Sequence, residues 1–245
     1  MFSKLVFSGI LCASFMFVMG CNSSDNPSTP TPQGDTPTVP TGVTKIMSEG
    51  FGGDLSTWET EYMINFGDPT YPRMRITTDT AHTGTHSLMS DSNRTALLYK
   101  LPEKLQDSIA GLQCYILAKE KGHTNFTVQL GQDAGSSGGL AKKFGFGFSP
   151  TDSVVTVFYD NYGGQKDMAV AAIQLNHWYK CVVEVNFTTK VISYSLDDQL
   201  VRTAPLPEIE MYGIDKLLVL RGFEPTEGAD GVKKCYVDDI VLYKK

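Results

Sequence analysis

From Val43 onward, apolar and polar residues alternate in short runs. The clearest run is Trp178–Phe187. Tyr179, Cys181, Val183, Val185 and Phe187 fall on one side, and Lys180, Glu184 and Asn186 on the other. A period of two sends successive side chains to opposite faces, so this run predicts a strand with one face buried. Thr188-Thr189-Lys190 predicts a turn, after which Ile192, Tyr194 and Leu196 alternate with Ser193 and Ser195. Asp197-Asp198-Gln199 predicts a second turn, and Leu200-Val201 opens a third strand. The same reading predicts strands near Lys45–Phe51, Arg73–Thr77, Ser87–Ser90, Ala96–Leu101, Gly111–Ala118, Asn125–Gly131, Phe144–Ser149, Val154–Asp160, Met168–Ile173, Lys216–Arg221 and Lys233–Tyr243. A small helical turn is expected at Pro102–Ser108, and the Gly135–Gly139 run predicts a loop. No run keeps a helical apolar period over three turns. About a dozen short strands separated by turns point to an antiparallel sandwich or barrel.

The first 43 residues follow a different pattern. Lys4 precedes an apolar stretch from Leu5 to Met19, which ends at Gly20-Cys21. This is shorter than the roughly 20 apolar residues that span a bilayer. A charged start, a short apolar core and a small residue before a cut are the parts of a secretory signal. Asn22–Gly42 is rich in Pro, Thr, Ser and Asp and has almost nothing apolar to bury. Such a segment cannot offset its ordering entropy, and its prolines favour an extended tether. Val18-Met19-Gly20-Cys21 resembles the lipobox of bacterial lipoproteins, with Met19 where a small residue is usual. The resemblance implies that residues 1–20 are removed and that Cys21 carries diacylglycerol and a further fatty-acyl chain such as palmitate. It implies a tether over 21–43 and a domain over 44–245. The lipid would then be the chain's contact with a membrane. The absence of Asp after the cysteine implies an outer-membrane address, facing the periplasm or the surface.

Composition narrows the functional classes. The formal net charge is −6, with 21 basic and 27 acidic residues. A nucleic-acid partner needs a basic footprint, so this class is set aside. There are five cysteines. Cys12 leaves with the signal and Cys21 takes lipid, so Cys114, Cys181 and Cys235 remain. They are either three core thiols or one disulfide with a spare. Their apolar, strand-like neighbours favour core thiols, and their spacing fits no zinc motif.

Four segments carry a second resemblance. Glu49-Gly50-Phe51-Gly52-Gly53-Asp54-Leu55-Ser56-Thr57-Trp58 is similar to the opening strand of bacterial jelly-roll domains. His82-Thr83-Gly84-Thr85-His86-Ser87-Leu88 is similar to a recurrent element of the same domains. Trp178–Leu200 resembles the hairpin pair of concanavalin A-like modules, and Tyr236–Leu242 their closing strand. The resemblance implies an all-β, two-sheet jelly-roll sandwich. That fold hosts lectins, polysaccharide hydrolases, polysaccharide lyases and structural modules, so it does not settle function. It also implies a structural calcium where the first and last strands meet, with Glu49 and Asp238 as ligands beside carbonyls of Gly84–His86. His82 and His86 are expected to serve the turn and its packing.

Candidate chemistry is sparse. Jelly-roll hydrolases carry a Glu-x-Asp-x-x-Glu strand, which is missing, as are the Arg and Gln-x-His strands of jelly-roll alginate lyases. Glu59-Thr60-Glu61 and Glu208-Ile209-Glu210 read as solvated loop acids. There is no nucleophile elbow, phosphate loop or His-Glu-x-x-His. Arg73 and Arg75 share a strand face and could grip a uronate carboxylate, or simply face solvent. Tyr159-Asp160-Asn161-Tyr162-Gly163-Gly164 reads either as a hairpin turn or as a sugar platform. In the latter, Tyr162 would stack on a ring while Asp160 and Asn161 bond hydroxyls. Trp58 and Trp178 are expected in the core or at its rim. Phe144-Gly145-Phe146-Gly147-Phe148 places aromatics on one face and bare backbone on the other, which packs a core and permits close ligand approach. The expectation is an envelope lipoprotein that binds polysaccharide without cleaving it. The alternatives are a jelly-roll hydrolase or lyase, and a structural or adhesive module.

Overall fold

The computed structural model describes residues 37–58, 74–90, 95–106, 108–120, 126–133, 140–149, 154–161, 164–206, 213–221 and 234–245. The chain divides into two units, Met1–Thr31 and Pro32–Lys245, and every described residue belongs to the second. Cys21, Glu59, Glu61, Arg73, Tyr162, Glu208 and Glu210 lie outside the described residues, as does most of the tether.

The described residues form two antiparallel sheets of a jelly-roll sandwich. The larger sheet is ordered β12 (Gln199–Pro205), β11 (Val191–Leu196), β10 (Trp178–Asn186), β5 (Ile109–Ala118), β14 (Cys235–Lys244), β3 (Ser87–Ser90), β2 (Arg75–Thr77). The eighth strand of this sheet, β1 (Thr44–Glu49), also pairs with β14. The smaller sheet is ordered β4 (Thr95–Leu105), β13 (Ile214–Arg221), β6 (Phe126–Asp133), β7 (Leu140–Ser149), β8 (Val154–Asn161), β9 (Gly164–Ala172).

The period-two segments become the two inner faces. Strand β10 alternates between half-buried and buried along its whole length. Opposite it, Val128, Phe146 and Val157 stand in register on β6, β7 and β8. They share one core with Leu97, Leu130, Phe144, Phe148, Leu217, Val219, Val183, Val185 and Ile192. Burying a side chain of this size contributes about 1.5–3 kcal/mol. Two tyrosine hydroxyls tie the sheets together: the buried Tyr194 hydroxyl on β11 donates to the Phe158 carbonyl on β8 at 2.7 Å, and the Tyr179 hydroxyl on β10 to the Ala172 carbonyl on β9 at 3.1 Å.

Two details correct or sharpen the sequence reading. The helical turn expected at Pro102–Ser108 is absent, because β4 continues through Pro102 to Leu105. The strand lies at the sheet edge, where proline's missing N–H costs no ladder bond and its fixed φ suits extended backbone. The cysteines resolve as core thiols. Cys114, Cys181 and Cys235 are free and buried, and Cys114 stands directly opposite Cys181 across β5 and β10.

Strand β14 changes partners along its length. Cys235–Val237 pair with β3, and Ile240–Lys244 pair with β1. Between them Asp238 and Asp239 form an irregularity against β5, with Asp239 at φ 50°. A bulge of this kind leaves one residue unpaired and re-aims neighbouring side chains.

Candidate functional site

The bulge on β14 gathers the first group of predicted residues. Asp238 is fully buried. Its Oδ2 accepts the backbone N–H of His82 at 2.7 Å and of Thr83 at 3.4 Å, and its Oδ1 accepts the N–H of Asp239 at 2.8 Å. Asp239 accepts the Thr83 hydroxyl at 2.6 Å and meets His82 Nδ1 at 2.5 Å. The His82 ring stacks on Tyr115, centroids 3.5 Å apart, and stands edge-on to Trp178. Burial, and then the neighbouring Asp239 charge, push the Asp238 carboxyl up to about 7, against the pull of its three backbone donors. This group pins the 79–86 loop to the last strand.

Glu49 does similar work at the other end of the strand pair. Its Oε1 accepts the N–H of Phe51 at 2.6 Å, and its Oε2 faces the indole N–H of Trp58 at 3.4 Å. Phe51 has φ 57°, and the bond holds it in that left-handed conformation. Trp58 is buried against Phe51 and Tyr99. Calcium requires six to eight oxygen ligands. The carboxylates of Glu49 and Asp238 both face N–H donors. Among the described residues no three His, Cys, Asp or Glu side chains form a metal-holding group.

The predicted sugar platform is divided. Tyr159 on β8 is partly buried against the main core. Asp160 points the other way and accepts the backbone N–H of Lys143 at 3.0 Å. Burial raises its pKa, and the nearby Lys143 charge opposes this. Asn161 ends β8, and Arg75 is an exposed residue at the start of the outermost strand β2, in the other sheet. The structure therefore does not bring Arg75 together with Tyr159 and Asp160.

The outer face of the six-stranded sheet holds a larger arrangement. Its residues register in three rows across the strands β4, β13, β6, β7, β8 and β9. The first is Ala96, Leu220, Thr127, Gly147, Thr156, Ala169. The second is Leu98, Leu218, Gln129, Gly145, Phe158, Asp167. The third is Lys100, Lys216, Gly131, Lys143, continued on β8 and β9 by Asp160, whose side chain accepts the Lys143 N–H, and its partner Gln165. A depression of about 430 Å³ opens here, lined by Thr127, Thr156, Phe158, Gln165, Asp167 and Ala169 among others.

Three features make this face chemically distinct. Gln129 is only 3% exposed. Its Nε2 donates to the Thr127 hydroxyl at 2.6 Å, while its buried Oε1 has no hydrogen-bond partner among the described residues. Gly145 and Gly147 leave bare backbone beside it. A Cβ at Gly145 would run into the Val128 carbonyl, and one at Gly147 would lie 2.7 Å from Thr127 Cγ2. Gln165 Nε2 donates to Asp167 Oδ1 at 2.7 Å, fixing a polar pair at the rim. The sequence reading found the glycine alternation but missed Thr127, Gln129, Lys143, Thr156, Gln165 and Asp167. The available signal was the polar side of β6 and β8, where Thr127, Gln129 and Thr156 alternate with core residues.

No protein-family model matches the chain, and no curated protein sequence matches it. Solved structures do. An endo-β-1,4-glucuronan lyase from the fungus Trichoderma reesei is 10% identical, with a TM-score of 0.58, over 82% of this chain and 96% of that one. The globular domain of T. cruzi calreticulin is 11% identical, with a TM-score of 0.56, over 82% and 88%. The Crh5 transglycosylase is 14% identical, with a TM-score of 0.52, over 82% and 87%. At these identities the likeness is one of fold.

Proposed function

We propose that this protein is a lipid-anchored envelope protein whose sandwich binds polysaccharide on the outer face of the six-stranded sheet without cleaving it. The observation that carries the reading is the Gln129 amide oxygen. An unpaired buried acceptor costs about 1–3 kcal/mol, and such a group in a native protein calls for a reason. A sugar hydroxyl is a donor of suitable size. The polar side chains of Thr127, Thr156, Gln165 and Asp167 line the adjoining depression and suit sugar hydroxyls. Sandwiches of the same fold include a glucuronan lyase and a transglycosylase by name, which supports a glycan ligand as a class. The anchor rests on Val18–Cys21 and the proline-rich segment that follows.

The binding test uses two variants. Gln129→Met removes the unpaired acceptor at similar volume. It should leave stability equal or higher while weakening polysaccharide binding about tenfold, or about 1.4 kcal/mol. Thr156→Trp should fill the depression and weaken binding at least as much. Unchanged affinity in both variants, measured by affinity electrophoresis across a polysaccharide panel, would refute the site. For the anchor, inhibition of signal peptidase II should leave an uncleaved precursor, and normal maturation under the drug would remove that part.

A catalytic reading has one observation in its favour. Asp160 and Asp167 are diagonal neighbours across β8 and β9, a relation that spans about 7–8 Å. Inverting glycosidases separate their carboxyls by about 6.5–9.5 Å, and burial keeps Asp160 more readily protonated. Release of reducing ends, lost in Asp160→Asn and in Asp167→Asn, would establish hydrolysis. No product from the wild-type protein would dismiss it.

A further inference from the structure

We infer that residues 37–43 are a strap, part of the folded domain, which crosses the outer face of the eight-stranded sheet and is clamped there by Gln113. Such a strap is independent of what the six-stranded sheet binds. The domain then starts at Pro37 rather than at residue 44, and the tether leaves it from the face opposite the proposed glycan site.

The strand register sets the path. On β5, Leu112, Cys114 and Ile116 enter the core, so Gln113 between them points outward. Its Nε2 donates to the Thr38 carbonyl at 3.2 Å, across 75 residues of sequence. Thr44, by contrast, pairs with Lys244 on the side of β14 away from β5. Val241 of β14 stands in register between Gln113 on β5 and Ser48 on β1. A chain that leads from Thr38 to Thr44 therefore passes over the outer side of β14. Gly42, at φ 74°, turns it into β1. Glycine takes up this left-handed conformation without the strain that a side chain adds.

Burial follows the same path. On β10 the outward-facing Lys180, Val182 and Glu184 are half-buried, as befits the solvated face of an antiparallel sheet. One strand further, Gln113 is only 6% exposed, and beyond it Val241 is 0% exposed. Strand β10 lies inside the sheet like β5 and β14, so distance from the edge does not explain the difference. A cover over β5 and β14 does. Pro37 is itself buried. The sequence suits such a cover, because Pro37 and Pro40 have no N–H to satisfy against the sheet. A buried amide such as that of Gln113 needs an acceptor, and Thr38 supplies it.

Limited digestion of the full chain with proteinase K, read by mass spectrometry, tests the strap. Trimming from the amino end should halt near Pro37. In Gln113→Ala it should continue to about Thr44. A halt near Pro37 in both proteins would be the work of the prolines alone and would overturn the clamp. Trimming of the wild type as far as Thr44 would overturn the strap itself. Thermal denaturation gives a second reading. Gln113→Ala and Pro37→Gly should each lower Tm by about 2–4 °C, the range for losing one such contact in a domain of this size. The double variant should fall by clearly less than the sum, because either change alone frees the strap. Additive shifts, or no shift in either single variant, would overturn the inference.

Discussion

Asp238 occupies the position where β14 exchanges β3 for β1 as its neighbour. Its carboxyl replaces the missing ladder acceptor for His82 and Thr83. Its pKa, raised from an ordinary carboxylate value to about 7 in the folded protein, has a consequence for stability. Between those two values the folded protein holds a proton that the unfolded chain has released. Stability therefore falls as pH rises through that window and levels off above about pH 7. Urea denaturation should show a loss of roughly 2 kcal/mol or more between about pH 5 and pH 8. Asp238→Asn should flatten most of that slope. A slope of the same size in the variant would assign the proton elsewhere. The sequence marked Asp238 as part of a closing strand. It could not show the partners, because His82 lies 156 residues away and meets Asp238 only through the bulge.

The strands themselves were legible wherever one face is buried and the other is not, as in β10 and β11. The period-two signal survives there because each face meets one environment. Pro102 misled because proline reads as a breaker, whereas an edge strand tolerates it. The candidate site was far less legible. Its rows run perpendicular to the strands, and β13 inserts between β4 and β6. Lys100, Lys216 and Lys143 are therefore neighbours in space only. The same distinction governs the cysteines. Cys114 and Cys181 were readable as core residues, but their cross-strand pairing was not. Burial, and then Cys114 beside it, push the Cys181 thiol well up, so it is inert in the folded state. A thiol reagent should find no reactive cysteine in the native mature protein and three after unfolding, with the midpoint unaffected by reductant. A fourth thiol would mean that Cys21 carries no lipid. Cys181→Ser should cost about 1–3 kcal/mol for an ill-placed hydroxyl. Tyr194→Phe should cost a similar amount by leaving the Phe158 carbonyl without its 2.7 Å partner.

Across the whole domain, most neighbours are distant in sequence. Strand β14 packs on β5, and β1 on β14, so the sheet cannot close until both ends of the domain meet. Topologies of this kind fold in milliseconds to seconds rather than microseconds. Stopped-flow refolding should show such a phase, insensitive to reductant because no disulfide must form. A microsecond main phase would contradict the topology.

The order of the sheets leaves several strands with one open backbone edge, and those strands share a character. Strand β2 is three residues long. Strand β4 carries Pro102 with exposed Lys100, Glu103 and Lys104, and β12 ends at Pro205 beside exposed Arg202. Strand β9 combines a register shift with exposed Gln165, Lys166 and Asp167. Short length, proline, charge and irregularity are what keep a sheet from extending into a neighbouring copy. Many copies packed side by side at a surface would therefore stay individually folded and separately dissolved. None of these four edges offers the next copy a long, flat, uncharged strand to join.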